Sequence, residues 1–163
     1  MDDPRTELVT CLSLKHLSIK GFTPFIFLCG GQVGNDPKSP LSLRESLYNH
    51  VMVKDSNLFP RIRTAEDTTD WFRGGLYSDL ISFEKHLAGL SALIVLIVES
   101  PGAIAELGAF SQVPEIAKRL HVVIKENHYE SDSFIKLGPI DFLERNHPGH
   151  VHVYPWEEKS NTN

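Results

Sequence analysis

The chain has 163 residues, 16 Lys and Arg against 21 Asp and Glu, and a formal net charge of −5. That length favours one domain around one sizeable core, and the acidic balance excludes a broad cationic surface for nucleic acid, leaving room only for a local patch. Cys11 and Cys29 form neither a CxxC pair nor a disulfide framework, no apolar run nears the roughly 18 residues of a membrane span, and Met1-Asp2-Asp3-Pro4 lacks signal-peptide character. The expectation is a soluble cytoplasmic protein with no membrane partner.

Residues 1–21 read as an N-terminal extension, where Leu8, Cys11, Leu12, Leu14 and Leu17 can form a short helical stripe. Residues 22–156 form the α/β domain, and 157–163 a polar, frayed tail. Within the domain, 25–29 is a strand, with Pro24 acceptable at its start. Gly30-Gly31-Gln32-Val33-Gly34-Asn35 follows as a flexible connection. Ser42 with Glu45 is a capping-box pattern opening a helix over 43–54, with Leu43, Leu47 and Val51 along one face. Residues 58–62 read as a short strand that Pro60 keeps from a central position.

An acidic loop over 64–70 and the stretch from Trp71 to Gly75 lead to a helix over 79–90, with Leu80, Phe83, Leu87 and Leu90 facing the core. Seven apolar residues over 92–98 read as a fully buried strand, followed by a tight turn and a helix over 103–112 that ends before Pro114. A strand over 121–125, a short helix over 140–144 and a strand over 151–154 complete the chain. This alternation predicts an α/β, Rossmann/flavodoxin-like three-layer fold with a mostly parallel five-stranded sheet. In such a sheet, ligands bind where strand ends meet helix starts.

Glu106 stands out on that ground. With Ser100 as cap and Pro101 at the first helical position, it falls in the second turn, near the cleft. A carboxylate there can attack an anomeric carbon or stabilise an oxocarbenium-like state while water attacks; the alternative is a solvated glutamate. Glu99, at the strand end, orients a ribose hydroxyl, shares a proton with Glu106 if the two approach closely, or caps nearby amides. Glu84, at the edge of a core-facing stripe, is either paired or reaches into a pocket. Glu106, Glu99 and Glu84 are the catalytic candidates.

The ligand-binding candidates are Gly30, Gly31, Arg44, Glu66, Asp67, Ser91, Ser100 and Gly102. Gly30 and Gly31 can bring amides close to phosphate, although the segment is neither GxGxxG nor GxxxxGK[ST]. Arg44 reaches phosphate or pairs with Glu45 or Glu66. Glu66, Asp67 and Asp70 line the same rim or are solvated, with Asp67 also able to cap a short helix. Gly102 leaves room for a ligand, and exposed amides at its turn can hold an anion. Trp71 or Tyr77 either stacks on a base or packs in the core. The eight histidines lack metal-ligand spacing, so no metal site is expected.

Phe25-Ile26-Phe27-Leu28-Cys29-Gly30-Gly31, Ala65-Glu66-Asp67, and Glu99-Ser100-Pro101-Gly102-Ala103-Ile104-Ala105-Glu106-Leu107-Gly108-Ala109-Phe110 form an ordered set. It resembles effector proteins of the retron St85 type, relatives of the nucleoside 2-deoxyribosyltransferases, from about Phe25 to Trp156. The resemblance implies that Glu106 takes the glycosyl-accepting nucleophile position and Gly102 the turn glycine. Ala103 stands where that family has a threonine, and Ser91 where an aspartate helps bind nucleoside. It further implies an N-glycosidase-like enzyme in anti-phage defence, cleaving a nucleotide or dinucleotide such as NAD with no required cofactor. A homo-oligomer and a partner protein or ribonucleoprotein follow by the same analogy. The alternative is a catalytically silent nucleotide-binding sensor or regulatory module.

Overall fold

The structure, a computed structural model, describes residues 23–34, 36, 38–68 and 77–156. The predicted stripe within 1–21, Asp70, Trp71 and the tail 157–163 lie outside the described residues. Five strands form one sheet: β1 (Ile26–Cys29), β2 (Ile62–Arg63), β3 (Leu93–Val98), β4 (Leu120–Lys125) and β5 (Val151–Tyr154). All pairs are parallel, in the order β2-β1-β3-β4-β5. The α/β fold is the expected one, and the sheet is parallel throughout.

The chain winds outward from β1 to β2, then crosses back past β1 to β3. This reversal opens a crevice at the carboxyl ends of β1 and β3. It also sends the connecting helices to opposite faces, because each right-handed crossover follows its winding direction. Helix α1 (Leu43–Lys54) covers one face; α2 (Leu80–Leu90), α3 (Pro101–Ser111), α4 (Pro114–Ala117) and α6 (Asp141–Asn146), which follows the short α5 (Glu126–Glu130), bring residues to the other. Side-chain alternation along β1 sends Phe27 and Cys29 into the larger core, with Phe83, Leu96, Leu107, Phe110 and Ile124, and Leu28 into a smaller one with Ile62 and Ile97. Central β3 feeds both cores, which is why it carries no polar residue.

Local signals set the helix starts. Ser42, Asp79 and Ser100 are all extended N-caps whose side chains accept the amide three residues on. Pro101 occupies the first helical position, where its missing N–H costs nothing. The predicted stripes, however, are wider than the buried ones. Leu47, Leu80 and Leu90 are exposed. Helix α1 packs Leu43 and Val51 as expected but adds Arg44 and Tyr48 in place of Leu47, and α2 buries only Phe83, Leu87 and Ala88.

Residues 58–62 do not form the expected strand. Phe59–Arg61 is a 3-10 turn containing Pro60, and β2 begins only at Ile62. Proline's fixed φ and absent donor suit a helical turn better than a ladder, and Asp55 Oδ1 holds the amides of Asn57 and Leu58 to start that turn. Two connections are also more helical than expected. Glu66–Thr68 is a 3-10 turn, and a π turn over Lys136–Ile140 leads into α6.

Burial separates the consequences of truncation. Leu107→Ala, in the larger core, is expected to cost about 2–5 kcal/mol, whereas Leu47→Ala, at the exposed face of α1, should cost less than about 0.5 kcal/mol. Denaturant unfolding of both variants measures the contrast.

Candidate active site

The crevice is built around Glu99, the residue after β3. Its Oε1 accepts hydrogen bonds from the amides of Gly31 (3.0 Å) and Arg44 (2.9 Å), and its Oε2 from the amide of Leu43 (2.7 Å). Leu43 and Arg44 are the first two residues of α1, whose leading amides have no partner within the helix. Ser42 Oγ takes the amide of Glu45, and Glu45 Oε2 takes that of Leu41 at 2.6 Å. Of the two roles foreseen for Glu99, the structure shows amide capping, on a distant helix rather than on its own turn.

Gly30 and Gly31 make this approach possible. A Cβ on Gly30 would lie 2.9 Å from Arg44 Cβ, and one on Gly31 would lie 2.8 Å from Ser42 Cβ and 3.0 Å from Glu99 Cδ. The Gly31 amide expected to meet phosphate thus donates to Glu99. Across the crevice, Ser100 Oγ accepts the Ala103 amide and donates to Gly30 O. A Cβ on Gly102 would meet nothing nearer than Ser100 Oγ at 3.8 Å, so space is open beside that turn.

Arg44 is almost wholly buried and grips Glu66 through two bonds, Nη2–Oε1 at 2.7 Å and Nη1–Oε2 at 3.1 Å, while its Nε has no partner. Pairing with Glu66 is therefore the alternative realised for Arg44. Burial pushes the Glu66 carboxyl up, but the guanidinium and further hydrogen bonds outweigh it and hold the group below its ordinary value. Asp67 accepts the Thr64 amide through Oδ2. It borders a separate cavity of about 550 Å³ at the β2 edge, with Tyr48, Ile62 and Leu87. Tyr77 packs edge-on against Phe83 with centroids 5.1 Å apart, the core alternative.

Glu106 is half-buried on α3, and its Oε2 is enclosed without a hydrogen-bond partner. Burial, then the like charge of Glu84, push its pKa to about 7, against an opposing contribution from Arg44 and a further raising one from Glu66. Glu84, on α2, is itself raised by burial and then by Glu66. The buried Cys29 thiol at the end of β1 is raised well above its usual value by burial, then by Glu106 and Glu84. Cys29, Arg44, Glu66, Glu84 and Glu106 thus share one electrostatic environment. Among the described residues its carboxylates outnumber the guanidinium of Arg44, with which Glu66 already pairs. A developing positive charge on a bound sugar would be stabilised here.

Ser91 is not brought to this crevice. In a parallel β-α-β unit the helix runs against the strands, so the first half of α2, with Glu84, points toward the crevice and its end points away. Ser91 caps that far end, buried, with its hydroxyl donating to Ala88 O at 2.8 Å. The whole of β3, roughly 20 Å at 3.3 Å per residue, separates it from Glu99. Ser91 serves as a helix cap at the end of the sheet away from Glu99 and Glu106.

Among the described residues, no three His, Cys, Asp or Glu side chains are arranged to hold a metal ion. Sequence reasoning missed a histidine stack on β4 and β5. His121 stacks on His150 with centroids 4.2 Å apart, and its Nδ1 lies 3.1 Å from His152 Nε2. The alternation of His150 and His152, which puts both on one face of an extended segment, is its only trace in the sequence.

Comparison with known proteins bears on this geometry. The model of the STM3845 retron effector protein family matches residues 40–163. An Escherichia coli protein of retron Ec86, provisionally named a ribosyltransferase/DNA-binding protein, is 34% identical over 138 residues, covering 80% of this chain and 42% of the relative. A protein of retron Ec73 from Escherichia coli, with the same provisional name, is 29% identical over 117 residues, 71% of this chain and 36% of the relative. The chain spans less than half the length of these curated relatives. The retron-effector resemblance is borne out at the level of the family, by the family match and by the Ec86 and Ec73 relatives.

Glu106 also makes stability depend on pH. Its folded pKa is raised from 4.5 to about 7, so its contribution is complete below pH 4.5 and lost as pH rises through 7. The loss is about 3 kcal/mol at 1.36 kcal/mol per unit. Glu106→Gln should therefore unfold at a higher denaturant concentration than wild type at pH 8 and at a similar one at pH 4.5.

Proposed function

Because the chain belongs to the STM3845 retron effector protein family, we propose that it is an N-glycosidase-like enzyme of a retron defence system, cleaving the base–sugar bond of a nucleotide or dinucleotide, NAD among them. The observation that carries this reading is Glu106: an unpaired, half-buried carboxyl at the mouth of the β1/β3 crevice. The ribosyltransferase in the relatives' names supports sugar transfer as the reaction class.

In this mechanism the C1′–N bond breaks and its electron pair leaves with the base. A base that is already cationic, such as nicotinamide in NAD, departs neutral and needs no proton. The cationic character left at C1′ faces the Glu106 carboxylate, which either forms a C1′–O bond or shields the centre while water adds. When water adds, its oxygen bonds C1′ and its proton passes to a carboxylate. Glu84 is the better acceptor, because both Glu99 oxygens are engaged by main-chain amides. The positive charge of the substrate favours the ionised form of Glu106, offsetting the burial that raises it. A partner protein or ribonucleoprotein of the defence system is part of the same proposal.

Purified wild-type protein and Glu106→Gln, incubated with NAD and a nucleotide panel and analysed by chromatography and mass spectrometry, test the assignment. Wild type should release free base, and the folded variant should lose at least about a hundredfold in rate. Turnover by the variant at the wild-type rate would sink the role of Glu106; saturable binding without product would favour the sensor reading. With Glu106 acting as a carboxylate, kcat/KM should fall as pH drops below about 7.

A further inference from the structure

The main-chain donors that a phosphate ordinarily uses in a sheet of this type are already engaged by the chain itself. The first β–α turn and the following helix N-terminus of such folds present amides to an anion, helped by the helix dipole. Here those amides belong to Gly31, Leu43 and Arg44, and all three donate to Glu99. The anion is a carboxylate delivered from the end of β3.

We propose that Glu99 is a specificity-determining residue that seals this anion nest, so that the substrate binds with no phosphate at the β1–α1 turn. The inference rests on the N-glycosidase reading and narrows its substrate geometry. A nucleotide or dinucleotide enters the crevice with its phosphates directed away from Gly31, and the sugar and base are what the crevice reads.

The surrounding groups leave little for a phosphate to displace. Ser42 Oγ is committed to the amide of Glu45, Glu45 Oε2 to that of Leu41, and the Arg44 guanidinium to Glu66. The Cβ distances at Gly30 and Gly31 show Glu99 and the start of α1 pressed against this turn. A phosphate would need the donors that Glu99 holds, and it would face the charge of Glu99 at contact distance. Such like-charge exclusion rejects a ligand as effectively as lost contacts do.

The test titrates inorganic phosphate and sodium acetate into wild type and Glu99→Ala, with sodium chloride at matched ionic strength as control. The readouts are thermal melting and the amide NMR resonances of Gly31, Leu43 and Arg44. In wild type, millimolar phosphate should leave the three amides unmoved. Glu99→Ala should melt several degrees lower and recover part of the loss with phosphate or acetate but not with chloride. Its preference for a 5′-monophosphate over the matching nucleoside should rise at least about tenfold in kcat/KM. Phosphate-dependent shifts of these amides in wild type would overturn the proposal, and so would a folded Glu99→Ala with no anion response. If Glu99→Ala does not fold, the wild-type titration decides alone. Absence of glycosidic cleavage by wild type would overturn the enzyme reading while leaving the anion titrations interpretable.

Discussion

One carboxylate ties the crevice together. Glu99 leaves the central strand and closes on amides from the β1–α1 turn and the start of α1. These are charge-assisted bonds, stronger than neutral ones, and their donors would otherwise be unsatisfied in a half-buried setting. The contact joins segments 55 to 68 positions apart in sequence. It fixes the backbone of Arg44, and through Arg44 it fixes Glu66 on the far rim. The paired glycines belong to the same constraint, because a side chain at either would collide with α1 or with Glu99.

Against that rigid rim, Glu106 is left unsatisfied. Arg44, the nearby cation, is directed to Glu66, and Glu84 adds a like charge rather than a donor. A carboxyl in this position weakens the folded state at neutral pH and is held there by the packing of Ala103, Leu107 and Phe110 on the same helix. Strain of this kind is common where a group must act on a ligand rather than on the fold. Glu99 and Glu106 lie on one strand–turn–helix unit and take opposite parts: one is fully engaged inside the protein, the other waits with an oxygen free of partners.

The family relationship fits this division. The matched relatives are more than twice as long as the segment they share with this chain. The stretch matched to the family, residues 40–163, takes in β2 to β5 and the acids Glu66, Glu84, Glu99 and Glu106. The whole chain's net charge of −5 sets it apart from a surface designed around phosphate contacts. The sealed turn carries the same preference down to a single site.

Much of the scaffold was legible in the chain. Apolar runs marked the strands, and Ser42 and Ser100 marked helix starts, because caps and burial patterns act over a few residues. Glu106 on the second turn of its helix followed from the same local rules. The faces of α1 and α2 followed only in part, since Leu43, Val51, Phe83 and Leu87 pack inward while Leu47, Leu80 and Leu90 satisfy the same stripes yet stay exposed. Pro60 was read as a flaw in a strand when it belongs to a turn. Nor does the resemblance that makes Ser91 a nucleoside-binding position show that strand direction sends it to the end of the sheet away from Glu99. By itself, then, the sequence determined most of the helices and strands, that they build a parallel α/β sheet, and which helix carries the crevice acid Glu106. Only the tertiary structure decided that Glu99 turns to α1, that Arg44 is spent on Glu66, and that Glu106 is left alone. Those outcomes depend on which strand ends meet across the switch point, and chain reversal brings them together from distances that no local pattern encodes.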